Sequence, residues 1–301
     1  MVQIFICVDF DRDYGYPITH LKHAVSKPIH LHKPELIDDP QDATSIRGTV
    51  EGFDLFIQHL LDEKLPTTFY FEARSINMFN DRYSEKTKLF KLPLFELGVH
   101  GYDHEDLTGE ETGIRFTKLE EEEIIKKAQM NLEALFSTKM IGFRAPYMRI
   151  TNNTTNILSN LGFAYDSSIY QESIRAIRPY SINQDLIEFP VIKTPKESPM
   201  KGMYTYLWPL FEGNREIEDT IKNYLRIVEN SKILDSYISI NLHSWHFAYN
   251  IKQDRYLSTE DIVHNINMFE KLISALSETE GVIFSTPGKW LKKHKQDLDL
   301  S

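Results

Sequence analysis

Short runs of apolar residues alternate with amphipathic stretches from one end of this 301-residue chain to the other. The runs Val2–Asp9, Thr67–Ala73, Phe95–His100, Met140–Arg144, Phe163–Asp166, Leu186–Pro190, Tyr237–His243 and Val282–Thr286 are rich in Ile, Val, Phe and Tyr. Runs of that length and composition predict strands covered on both faces. Between them, Thr49–Glu63 places Val50, Phe53, Phe56, Ile57, Leu60 and Leu61 on one helical stripe. Thr117 and Glu120 form a capping box ahead of Ile124, Ile125, Ala128, Leu132 and Leu135. Asn152–Leu161, Glu216–Asn230, Thr259–Ser277 and the shorter Gly288–Lys295 read as further helices. Strand–helix alternation of this kind predicts a parallel sheet, and roughly seven or eight units predict a (β/α) barrel. With no repeat, low-complexity tract or linker, residues 1–301 read as one α/β domain. Tyr14–Arg47 and Lys193–Gly213 read as loop insertions.

Composition narrows the function. A net charge of −10 disfavours a nucleic-acid or anionic-membrane surface, because both require clustered Lys and Arg. No stretch approaches the length of a membrane span. The single cysteine, Cys7, sits in the first apolar run and reads as a small buried hydrophobe. One cysteine and an N-terminus without a basic, long apolar leader predict a cytoplasmic protein. Homo-oligomerisation is left open.

The candidate chemistry lies where the predicted strands end. Asp9, Asp11 and Asp13 close the first strand, His100 and His104 follow the third, and Arg144 ends the fourth. Asp166 ends the fifth and His243 the seventh. In a barrel all of these positions converge on one mouth. Two imidazoles four residues apart and a carboxylate are the donor types of a catalytic zinc site with an open position. Residues two apart in an extended segment share a face, so Asp11 and Asp13 lie together with Asp9 one layer deeper. One of a close carboxylate pair on a metal leaves the other free as a base. In Arg144-Ala145-Pro146-Tyr147, the proline sets a rigid bend that can aim the Tyr147 backbone N–H at a developing oxyanion.

Taken in order, Phe10-Asp11-Arg12-Asp13, Thr68-Phe69-Tyr70-Phe71, His100-Gly101-Tyr102-Asp103-His104, Arg144-Ala145-Pro146-Tyr147 and Leu242-His243 resemble the polysaccharide deacetylase (NodB-like) family. The resemblance implies a distorted (β/α)7 barrel and metal-dependent removal of an acetyl group from an N-acetylated sugar or short glycan. It implies Zn2+, or another divalent transition metal, on Asp13, His100 and His104. Asp11 would be the general base, held and oriented by Arg144. The Tyr147 backbone N–H would stabilise the oxyanion, and His243, or alternatively His246, would be the general acid. Tyr102, Pro146, Trp208, Leu242 and Trp245 stand as the expected substrate contacts.

In this chain Arg12 separates two aspartates that are adjacent in much of the family. That spacing resembles a branch containing peptidoglycan-deacetylase-like proteins and enzymes that open cyclic imides or ureides. A hydrolase of a small cyclic amide is therefore the rival expectation. A catalytically inactive carbohydrate-binding barrel is the third.

Overall fold

The computed structural model describes residues 1–12, 15–18, 23–26, 46–231, 235–251, 253 and 255–298. Its main sheet runs β1 (Val2–Phe10), β2 (Thr67–Phe71), β3 (Phe95–Val99), β4 (Gly142–Phe143), β5 (Tyr165–Asp166), β6 (Ile187–Glu188), β7 (Ser236–His243) and β8 (Val282–Phe284). The spatial order is β7-β1-β2-β3-β4-β5-β6, all parallel, with β8 beside the first half of β1. Tyr180–Ser181 adds an antiparallel edge to β6.

The sheet curls without closing by a β6–β7 ladder. The Thr205–Leu207 segment lies beside β7, with Asn241 N–H donating to the Thr205 carbonyl and Leu207 N–H to the Asn241 carbonyl, both at 2.8 Å. This is the expected barrel, distorted on one side. The expected strands are present; β1 and β7 each gain a residue, and the others are shorter than expected, most of all β4 to β6.

Around the sheet pack α1 (Arg47–Asp62), α2 (Ala73–Thr87), α3 (Lys118–Phe136), α4 (Thr154–Asn160), α5 (Ile217–Glu229), α6 (Thr259–Ser277) and α7 (Pro287–Leu298). The reciprocal capping box of Thr117 and Glu120 starts α3, and Ser258 with Asp261 starts α6 in the same way. Helix α2 was not among the expected elements. Its interior is polar except for a stripe on which Ile76 and Phe79 are buried. Phe79 meets Phe10 edge-on at 5.5 Å and Phe53 of α1 at 4.9 Å. The core is therefore one aromatic layer between the outward side of β1 and its helices.

Every residue of β1 is buried, and Cys7 within it is a buried thiol pushed up to about 12, chiefly by that burial. No helix among the described residues is long and apolar enough to cross a membrane. Inside the barrel two glycines make room for tyrosine rings. A Cβ on Gly98 would lie 2.6 Å from Tyr70 Cδ1, and one on Gly142 would lie 2.1 Å from Tyr165 Cζ. Tyr165 donates its hydroxyl to Glu96 at 2.7 Å, and Glu96 also accepts from Thr286 Oγ1 and the Gly288 N–H, tying β3 and β5 to the start of α7. Tyr70 in turn forms the floor under the site, its ring 4.3 Å from the Arg144 guanidinium.

Gly142→Ala is expected to cost about 1–3 kcal/mol by overpacking against Tyr165, read as a lower urea midpoint. An unchanged midpoint would show that the tyrosine layer can shift freely.

Candidate active site

The strand period decides which side chains enter the mouth. Phe10 points to the aromatic layer, whereas Asp9 and Asp11 point inward; both are about 1% exposed. Asp9 is the register partner of Tyr70 on one side and His243 on the other, so it stands level with the fourth-strand arginine. Arg144 Nη1 donates to Asp9 Oδ1 at 3.0 Å, and the Tyr206 hydroxyl donates to Oδ2 at 2.7 Å. Burial alone would push Asp9 up. The Arg144 guanidinium, with His100 and His243, outweighs it and holds the carboxyl below the usual range. Arg144 is itself fixed through Nε to the Ser167 carbonyl at 3.1 Å and through Nη2 to Ser167 Oγ at 3.0 Å.

Asp11 sits one step further out. Trp245 Nε1 donates to its Oδ1 at 2.8 Å, and its Oδ2 lies 3.5 Å from His104 Nε2. His100 Nδ1 is 2.9 Å from the Arg144 carbonyl, which can only accept, so Nδ1 carries the proton and Nε2 keeps its lone pair. The two imidazoles meet edge-on at 5.2 Å. Their loop is held by the α2 N-terminus, where Ala73 N–H and Arg74 N–H donate to the carbonyls of Gly101 and Tyr102. Gly101 at φ 76° and His104 at φ 52° make the tight turn that returns the second imidazole to the first.

Asp11, His100 and His104 each offer one donor atom, and all three atoms lie within 4.8 Å of one another. Two imidazole nitrogens and one carboxylate oxygen match the donor set of a catalytic divalent transition metal. The His100–carbonyl bond is the outer support that such ligands need. Burial, with the charges of Glu72 and Asp9, pushes the Asp11 carboxyl well above its usual range. A cation beside it is the charge that reverses such a shift.

One expected contact is corrected: Arg144 holds Asp9, not Asp11, and Asp11 stands beside the two histidines. Asp13 itself lies outside the described residues. The physical reason is the end of β1: the strand stops at Phe10, so the last paired inward carboxylate is Asp9.

Past Arg144 the chain makes one helical turn, Pro146–Met148, with Tyr147 at φ 59° and Met148 at φ 56°. Two successive non-glycine residues in the left-handed region mark a strained stretch at the mouth. The Tyr147 ring packs edge-on to His104 at 4.7 Å. On the opposite wall His243 lies between Tyr206 and Trp245, both near-parallel, at 5.7 and 5.0 Å. His243 Nδ1 and His246 Nδ1 are 3.2 Å apart, and His246 Nε2 is 3.7 Å from Glu212 Oε1. Burial lowers both imidazoles to about 3, with the neighbouring His246 adding to the effect on His243. The pair is therefore neutral at pH 7.

A cavity of about 350 Å³ joins these groups, lined further by Glu111, Ala145, Arg149, Tyr170, Tyr204, Trp208 and Ile251. Trp208 and Trp245 of the expected substrate contacts line it, and three others do not. Tyr102 turns outward, with Lys127 Nζ 3.6 Å over its ring and Arg74 at 5.7 Å. Leu242 points into the core opposite His243 and is fully buried. Pro146 packs on Gly101, where a Cβ would come within 3.2 Å of its Cγ. Glu111, Glu212 and Tyr170 were not anticipated; Glu111 lies in a turn, Glu212 caps the short helix Trp208–Phe211 and Tyr170 starts the short strand Tyr170–Glu172, elements too brief to show a period in the sequence.

Behind Arg144, Asp166 accepts from Ser167 N–H at 2.8 Å and Ser168 Oγ at 2.5 Å, and Ser168 Oγ accepts from Ala145 N–H at 2.8 Å. Asp166 thus braces the arginine segment and does not line the cavity. Burial and the Asp166 charge push the Glu188 carboxyl well above its usual range.

Residues 47–165 match the sequence model of the polysaccharide deacetylase family. A peptidoglycan deacetylase from Helicobacter pylori is 31% identical over 136 residues, which are 44% of this chain and 42% of that protein. The match thus spans less than half of that relative. Among solved structures, a probable polysaccharide deacetylase from Pseudomonas aeruginosa superposes with a TM-score of 0.64 at 15% identity, covering 99% of this chain and 92% of the other. The Puue allantoinase superposes with a TM-score of 0.65 at 16% identity, covering 99% and 91%. At such identities the structural likeness establishes the fold alone.

The Glu188–Asp166 pair makes stability pH-dependent in a definite direction. Burial raises both carboxyls in the folded state, Asp166 to about 6. Their contribution is complete below the unfolded carboxyl value of about 4 and is lost as pH climbs through the folded values. Glu188→Gln removes one titrating carboxyl. Its stability relative to the parent should therefore rise as pH climbs from about 4.5 through about 6, measured as urea midpoints. Parallel pH profiles for the two proteins would contradict the raised carboxyls.

Proposed function

We propose that the chain is a member of the polysaccharide deacetylase family, whose sequence model matches residues 47–165, and a metal-dependent hydrolase removing the acetyl group from an N-acetylated sugar of a glycan. The observation that carries this reading is the buried Asp11–His100–His104 triad opening on an aromatic cavity, with the Arg144-held Asp9 carboxylate beside it. A zinc ion, or another divalent transition metal, held by these three residues would supply Lewis acidity, lowering the pKa of water toward about 7 and polarising the acetyl carbonyl.

The chain's own residues account for the rest. Asp9 is the base: Arg144 keeps it ionised, and its carboxylate takes the proton of the attacking water. The Tyr147 backbone N–H donates to the oxyanion of the tetrahedral intermediate. An amine leaves poorly as an anion, so the proton that Asp9 takes from the water is passed to the departing nitrogen through the neutral His243–His246 pair, which accepts it and gives it up again. Because burial makes both imidazoles weak bases, either one gives up a proton readily once it has received it. Tyr204, Tyr206, Trp208 and Trp245 offer flat apolar faces to a sugar ring, and the acidic lining suits a substrate without negative charge.

Protein loaded with zinc and given N-acetylglucosamine oligomers should release acetate. Asp9→Asn should lower kcat by about 10²–10⁴-fold with metal content unchanged, and Asp11→Asn or His100→Ala should lose the metal. Ring opening of a cyclic imide without acetate release from any oligomer would overturn the deacetylase reading. Full metal content in Asp11→Asn would overturn the ligand set.

A further inference from the structure

Arg12 follows Asp11 directly, and its side chain has no exposure. Its Nη2 lies 2.7 Å from Glu72 Oε1 and 3.1 Å from Asp103 Oδ1, and donates to the Asp103 carbonyl at 3.1 Å. The Arg12 backbone N–H donates to Glu72 Oε2 at 3.0 Å, and Ser75 Oγ holds the same oxygen. Arg74 Nε completes the group on Asp103 Oδ1 at 2.9 Å. These charges join three chain segments. Arg12 follows β1, Glu72 stands between β2 and α2 at the N-cap position, and Asp103 directly precedes His104.

We propose that Arg12 is a positioning residue for the metal triad, fixing the separation of Asp11 and His104 by clamping their two neighbouring residues into one buried ion network. The inference rests on the metal reading above and extends it to a residue that touches no ligand atom. Stability alone is a weak reason for such a network. A buried ion pair is often no better than a hydrophobic replacement, because desolvation offsets the attraction, and its best-attested use is to specify one geometry. Here the geometry specified is that of the chain just past the end of β1 and of a left-handed turn. A single Arg12 nitrogen, Nη2, reaches a carboxylate on one segment and a carbonyl with its carboxylate on another; a lysine would keep the charge but on a shorter, differently shaped head.

Zinc affinity is the readout, measured by chelator competition on the full chain alongside the visible spectrum of the cobalt-loaded protein. Arg12→Met and Asp103→Asn should each weaken zinc by about 10–100-fold, the size of effect seen when outer supports of metal ligands are removed. Arg12→Lys should recover part of the loss, and the cobalt bands should change in shape. Asp103→Asn keeps the Arg12–Glu72 pair, so it tests the clamp even if Arg12→Met does not fold. Wild-type affinity and an unchanged cobalt spectrum in folded Asp103→Asn would overturn the positioning role while leaving the metal site intact. Failure of the unmodified protein to bind zinc at all would remove the metal reading and this inference together.

Discussion

A strand buried along its whole length ends here in charged residues, and the cost of desolvating those charges organises everything around them. Asp9 is neutralised by Arg144 and hydrogen-bonded by Tyr206. Asp11 is oriented by Trp245 and faces two imidazoles. Arg12 is matched by Glu72 and Asp103. The partners arrive from several strand ends and loops, so pairing the charges also draws the mouth of the barrel together. The interior tyrosines, admitted by Gly98 and Gly142, supply the apolar floor that keeps Arg144 dry and its bond to Asp9 strong.

The two sides of the mouth differ in electrostatic character. On one, carboxylates and the loop imidazoles form a cation-seeking triad. On the other, His243 and His246 are stacked among Tyr206, Trp245 and Phe211 and stay neutral. Separation of a charge-binding wall from a neutral proton-exchanging wall is what an amide hydrolase needs, since water must lose a proton where the amine must gain one. The strained Tyr147–Met148 backbone lies between them, with the Tyr147 ring against His104.

Most of the frame was legible in the sequence because it follows from period and capping. Apolar runs placed the strands, Thr117 and Glu120 marked the start of α3, and the two histidines marked the loop after β3. Roles within the aspartate cluster were not legible. Alternation states that Asp9, Asp11 and Asp13 share a side, but not which one is level with Arg144; that depends on where β1 stops pairing. Tyr102 drew attention as an aromatic between two histidines, yet Lys127 of α3 and Arg74 of α2 claim its face, and those contacts join segments far apart in the chain. Leu242 was expected from the resemblance, but alternation along β7 turns it away from the side on which His243 stands and into the core. Helix α2 escaped notice because so few of its residues face the core.

The central claim is that Asp11, rather than a neighbouring aspartate, completes a metal site with His100 and His104. Anomalous diffraction at the zinc edge, from crystals of the full chain grown with zinc, tests it most directly. The account predicts one strong peak within about 2.0–2.2 Å of a carboxylate oxygen of Asp11 and of one nitrogen from each histidine. A peak bound through Asp9, or density at His100 and His104 with Asp11 turned away, would contradict it.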